Sequence, residues 1–175
     1  FLLTKTYDTN IRRYLNGTLA QEPLPPSPDE LFRSFGSQLN NIKSISDEII
    51  YHPVRYRILF GSKAEAELKG TFKIVKNPDR VLNDNDVKTR VTNAINQFFA
   101  LENWDFGDTF YFSELSTYVV NQLAPDVSQF ILIPKQNIKS FGSLYEIKSE
   151  SGEIFLADVT VNDCEIIDEI TAEKL

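Results

Sequence analysis

At 175 residues with a formal net charge of -7, the chain is long enough for one self-sufficient core and too acidic to neutralise the phosphates of a nucleic acid as its main business. A domain of this size buries roughly 70% of the surface its unfolded chain exposes, so it needs neither a metal nor a disulfide to fold. The 13 Phe within a 42% hydrophobic composition are ample core material, read either as an aromatic-rich core or as including some Phe buried only against a partner subunit. The single cysteine, Cys164, excludes an intrachain disulfide and fits a reducing compartment. No apolar run approaches the ~20 residues of a membrane helix, and Phe1-Leu2-Leu3-Thr4 is too short for a signal-peptide core. A chain that starts with Phe and has no Met is expected to be a fragment of a longer protein.

Residues 1–22 are weakly patterned, with Ile11, Tyr14 and Leu15 offering a short helical face and Asn16-Gly17-Thr18 reading as a turn. Four prolines between Pro23 and Pro28 fix φ and remove donors, which predicts a stiff extended spacer. The spacer ends on a helix start: Ser27 as N-cap, Pro28 in the first turn, Glu30 closing a capping box. Leu31, Phe32, Phe35 and Leu39 follow at helical spacing. Residues 1–42 are therefore expected to form an N-terminal arm with a Pro-rich spacer and a short helix, and residues 43–175 an α+β assembly domain.

From Ile49 to Phe60 the apolar period becomes two, and it does so again from Leu68 to Val75, with Gly61-Ser62-Lys63 between. This spacing predicts an antiparallel hairpin. Its other face would carry Arg55, Arg57, Lys69 and Lys73: an ordinary solvated face, or a dock for an acidic surface such as the acidic tail of another copy. Val87, Val91, Ala94, Ile95, Phe98 and Phe99 make the clearest helical stripe, capped by the Asp84–Asp86 region. Trp104 to Asp108 reads as an aromatic turn. Ser113 is the expected cap of a second helix ending at Ala124-Pro125-Asp126, and Val127 to Ile133 is a strand. Further strands are predicted over 143–148 and 153–161, joined by a turn at Glu150-Ser151-Gly152. The acidic tail from Cys164 is a last strand or short helix.

Chemistry-bearing motifs are sparse. The one histidine, His52, excludes two-histidine mechanisms, and the carboxylates beside Cys164 disfavour a thiolate. Zinc spacings, phosphate-binding glycine loops and nucleophile elbows are absent from the sequence. Asp105 and Asp108 beside Trp104 could suggest a sugar-cleaving pair, but Asp around a Gly is also what a turn requires. Asn83 to Asp86 starts like a calcium loop, then lacks its later ligands and reads as a helix cap.

The run Val87-Lys-Thr-Arg-Val-Thr-Asn-Ala-Ile-Asn-Gln-Phe-Phe99, the Trp104-x-x-Gly107 turn, Phe110-Tyr111-Phe112-Ser113-Glu114-Leu115 and the strand from Val127 resemble, in that order, the C-terminal part of baseplate J-type proteins. These proteins build the baseplate wedges of contractile phage tails and related injection machines. The spacer, the expected hairpin and the acidic tail are most similar to the large wedge subunits of T-even-like phages, over roughly residues 45–170. The resemblance implies a virion structural protein, assembled in the host cytoplasm, that self-associates as a homodimer and binds neighbouring wedge subunits. It implies no catalysis, cofactor, metal, nucleic acid or membrane. Trp104, Phe106, Phe110 and Phe112 form the candidate interface cluster, with intradomain core as the other reading of the same four. A peptide- or glycan-binding module of a larger scaffold is the alternative function. The expected fold is α+β: an antiparallel sheet packed with two main helices, plus the arm.

Overall fold

The computed structural model describes residues 1–41, 49–80, 83–135 and 146–171. Among them are four helices, α1 (Lys5–Leu15), α2 (Pro28–Asn40), α3 (Asp84–Phe98) and α4 (Phe112–Leu123). The strands are β1 (Arg55–Leu59), β2 (Gly70–Lys76), β3 (Thr109–Tyr111), β4 (Val127–Pro134), β5 (Glu146–Lys148), β6 (Glu153–Ala157) and β7 (Cys164–Ile167). The class is mixed α and β, as expected, but the sheets are not all antiparallel. Three small sheets form, with orders β1-β6, β4-β2-β7 and β3-β5. The pairs β1-β6 and β2-β7 run parallel. Only β2-β4 and β3-β5 are antiparallel.

The predicted hairpin does not form. β1 and β2 belong to different sheets and meet only at a bridge between Phe60 and Lys69. The cause lies in the connection. Phe60 takes φ +77°, a left-handed conformation rare for a bulky residue, and so turns the chain out of the β1 direction. Gly61 then passes so close to the residue that follows β6 that a Cβ there would lie 1.4 Å from the Asp158 carbonyl oxygen. A short loop and two alternating runs are compatible with a hairpin, but this backbone geometry is not.

The helical face expected at Ile11, Tyr14 and Leu15 is part of α1, which is capped by Thr4, whose hydroxyl accepts from the Tyr7 N–H. Tyr7 and Ile11 are buried against Val54, Tyr56, Ile154 and Leu156. The Tyr56 hydroxyl donates to Asp8, and Arg12 Nε reaches both Asp8 carboxylate oxygens at 3.1 Å. Burial and the Asp8 hydrogen bond hold the Tyr56 phenol well above its usual range. Only residues 16–27 lack helix and strand between α1 and α2. The turn expected at 16–18 is present, with Gly17 at φ +77° and the Thr18 N–H donating to Asn16 Oδ1.

α2 starts where the sequence places it. Ser27 and Glu30 form the complete capping box with Pro28 in the first turn. α3 is capped by the Asn83 side chain rather than by an aspartate, while Asp84 and Asp86 face the positive helix end. α4 begins at Phe112 without a side-chain cap, so Ser113 is inside the helix. The acidic tail resolves as a strand, β7. The predicted segment 143–145 lies outside the described residues. β5 and β6 flank the Glu150–Gly152 turn but pair with β3 and β1, not with each other.

Two apolar clusters result. The larger packs α3 and α4 on the β4-β2-β7 sheet and includes Phe60, Phe72, Phe99, Phe110 and Phe155. The smaller lies between α1 and one face of β1-β6. β6 is buried on both faces, which explains its near-continuous apolar sequence. Gly61→Ala must move backbone against backbone and is expected to lower unfolding free energy by about 3 kcal/mol or more, measured by urea denaturation.

Candidate functional site

The candidate interface cluster divides when folded. Phe110 is wholly buried at the centre of the larger core, with its ring 5.7 Å from Phe60 and 5.4 Å from Phe99. Trp104 stacks on Phe99 at 5.3 Å, meets Phe155 edge-on at 5.1 Å and donates its indole N–H to the Phe98 carbonyl at 2.9 Å. It packs against both apolar clusters and so joins them. One ring face of Trp104 is thus covered by Phe99, and the residue as a whole is half-buried. Phe112 is half-buried and stacks on Phe130 at 5.8 Å. Phe106 alone of the four is exposed, at 40%. Its ring lies 5.9 Å from Phe1, which in turn lies 5.4 Å from His52.

The carboxylates of this turn serve the backbone. Asp108 Oδ2 accepts the Asp105 N–H at 2.7 Å, and Gly107 takes φ +80°. The Asp108 carbonyl in turn accepts from both the backbone and the hydroxyl of Ser149.

The four basic residues do not share one face, because β1 and β2 are in different sheets. Arg57 donates to the Lys148 carbonyl at 2.8 Å and pairs with Glu153 at 3.4 Å. Lys73 pairs at 2.6 Å with Glu165 on β7. Glu165, part of the acidic tail that was a candidate ligand from another copy, thus pairs with Lys73 of its own chain. Arg55 is exposed and Lys69 half-buried.

A less obvious apolar surface lies on the N-terminal segment. α2 buries only Leu31 and Gly36. Phe32 is 53% exposed and meets Tyr51 edge-on at 5.7 Å, beside Ile50 at 71% exposure. Leu24, in the proline spacer, is 87% exposed. It lines a groove of about 370 Å³ with Arg33 and Glu30 of α2 and Tyr7 of α1. In the sequence Phe32 belongs to the helical stripe that reads as core. Leu31, its neighbour in the same helix, is wholly buried, and nothing in the sequence distinguishes the two.

A second groove, of about 580 Å³, runs between the C-terminal ends of α1 and α3 along residues 156–160. Asp158 at its edge accepts the Lys63 N–H at 2.7 Å, and burial raises its carboxyl above the usual carboxylate range. No group of three or more metal-ligating side chains occurs among the described residues, and no described helix is long and apolar enough to cross a membrane. Compared with known proteins, the chain matches no family model and no curated protein.

These placements separate stability from surface. Trp104→Ala is expected to cost about 3–5 kcal/mol of stability, whereas Phe106→Ala should stay within about 0.5 kcal/mol, both read from denaturant melts. Burial raises the Cys164 thiol from its ordinary 9.0 to about 11, with Asp163 adding to the shift. The folded chain therefore holds this proton more tightly than the unfolded chain. Stability should fall as pH rises from 9 to 11, and Cys164→Ala should flatten that loss in denaturant melts across this range.

Proposed function

We propose that this chain is a non-catalytic structural domain of a contractile-tail baseplate wedge, which self-associates and binds neighbouring wedge subunits in the virion. The observation that carries the assembly role is the uncovered apolar surface of α2 and the proline spacer, with Leu24, Phe32 and Ile50 all facing solvent. A helix of 13 residues that buries one large side chain is marginal in isolation, even with a complete capping box. Exposed apolar surface next to a rigid spacer is what a subunit interface uses, with its aromatic and aliphatic anchors covered on assembly.

The wedge assignment rests on the resemblance of residues 87–133. The order of elements supports it: a helix ending in Phe98-Phe99, the Trp104–Gly107 turn, the aromatic strand β3, α4, and the strand from Val127. The shifted ionisable groups fit a structural role too. Tyr56, Asp158 and Cys164 are each displaced first by burial, and Tyr56 and Asp158 are held by bonds that fix the chain: Tyr56 links β1 to α1, and Asp158 accepts from the loop after β1.

Two measurements test the proposal. Light scattering on a size-exclusion column, over a wide concentration range, should give a dimer that Phe32→Glu together with Leu24→Glu returns to monomer without lowering the melting temperature. A monomer at every concentration would remove self-association through this segment. Antibodies raised against the chain, gold-labelled and viewed on purified contractile-tail particles from the source of this sequence, should mark the tail end distal to the head. Labelling absent from the tail would reject the wedge assignment.

A further inference from the structure

We propose that the groove between the C-terminal ends of α1 and α3 binds an alkylammonium ion, a cationic amine on an apolar chain, supplied either as a partner's lysine side chain or as a free amine. The inference rests on the groove alone and stands apart from the wedge reading.

The shape supplies the first argument. At about 580 Å³ the groove falls in the size range of small-molecule sites, which are mostly apolar with a few polar groups at set places. Leu15, Ala100 and Leu101 line it and are half-buried, so they keep surface for an alkyl chain to cover. Asn96, Glu102 and Thr160 line it too and are exposed.

The backbone sets the sign of the ligand. Carbonyls of a last helical turn point out of the C-terminal end, which carries about half a negative charge. Two such ends, those of α1 and α3, border this groove. α1 has Arg12 and Arg13 in its last turn to offset its own. α3 has no basic residue there, although Asp84 and Asp86 occupy its first turn. The Asn96 carbonyl, in that last turn, accepts no hydrogen bond among the described residues.

The side chains agree. Glu102 lines the groove and has no ion-pair partner among the described residues. Arg12, the cation of the groove, has its Nε within 3.1 Å of both Asp8 carboxylate oxygens, so its charge is already offset. Asp158 is engaged elsewhere, its carboxylate accepting the Lys63 N–H at 2.7 Å. An ammonium group between the end of α3 and Glu102 would meet carbonyl and carboxylate acceptors, with its chain along Leu15, Ala100 and Leu101. An anion in the same place would face Glu102 and the negative ends of two helices.

The test titrates three probes of one chain length into ¹⁵N-labelled protein at neutral pH: hexylammonium, hexanol and hexanoate. Hexylammonium should bind saturably at about 1 mM or below and shift the ¹⁵N–¹H signals of Asn96, Leu101, Glu102 and Thr160. Hexanoate should bind about tenfold more weakly. Glu102→Gln should weaken hexylammonium about twofold to fivefold and leave hexanol unchanged. Asn96→Lys supplies the cation that the end of α3 lacks. It should weaken hexylammonium at least as much and raise the melting temperature by about 1–4 °C. Tighter binding of N-acetyl-lysine methylamide than of spermidine would assign the cation to a partner's side chain, and the reverse order to a free amine. Hexanol or hexanoate binding as tightly as hexylammonium would overturn the proposal. So would shifts confined to residues outside the groove, the absence of saturable binding, or hexylammonium binding that neither substitution changes.

Discussion

The fold turns on one crossing, where the chain leaves β1 and passes over Asp158 just after β6. Phe60 carries its large side chain into the core while its backbone takes a left-handed conformation that a phenylalanine adopts only when its surroundings hold it there. Phe72, Phe99 and Phe110 provide that hold, each with its ring within 6 Å of the Phe60 ring. Gly61 then leaves room for the Asp158 carbonyl, and the Asp158 carboxylate accepts from the Lys63 N–H to fasten the loop. Because of this crossing, β1 and β2 enter separate sheets, and each finds a parallel partner near the end of the sequence.

Ile58 and Leu59 of β1 and Phe155 of β6 tie the β1-β6 pair into the larger cluster, and Trp104 adds a second tie. Its indole lies against both apolar clusters, between the aromatic centre of the domain and the layer covered by α1. The large-scale consequence is a clear division of labour among the aromatic residues. Those of the Trp104 neighbourhood bind the domain to itself. Those left over, Phe32 on α2 and the Phe1–Phe106 corner, keep ring surface exposed to solvent.

Local features were legible in the sequence and pairings were not. The capping box at Ser27 and Glu30 and the stripe from Val87 to Phe99 depend on residues a few positions apart, so the chain states them directly. Alternation in residues 54–60 and 68–75 identifies strands correctly but carries no information about their partners. A short loop between two strands favours a hairpin only if its backbone can close one, and nothing in the side chain of Phe60 announces a positive φ. Composition likewise cannot tell a core aromatic from an interfacial one. Trp104, Phe106, Phe110 and Phe112 look alike in sequence, and their fates depend on which of residues 99, 130 and 155 the fold brings to each.

The late position of β6 and β7 has a consequence for how the protein is made. β1 and β2 emerge from the ribosome long before the strands that flank them in parallel, so neither sheet can be completed until nearly all of the residues described here have been synthesised. Such long sequence separations slow folding, because the intervening chain must be closed before the contacts reward it. Until then β1 lacks its sheet partner and β2 has β4 alone. The last strands act as a closing signal, and an unfinished copy has no completed surface to offer to an assembly.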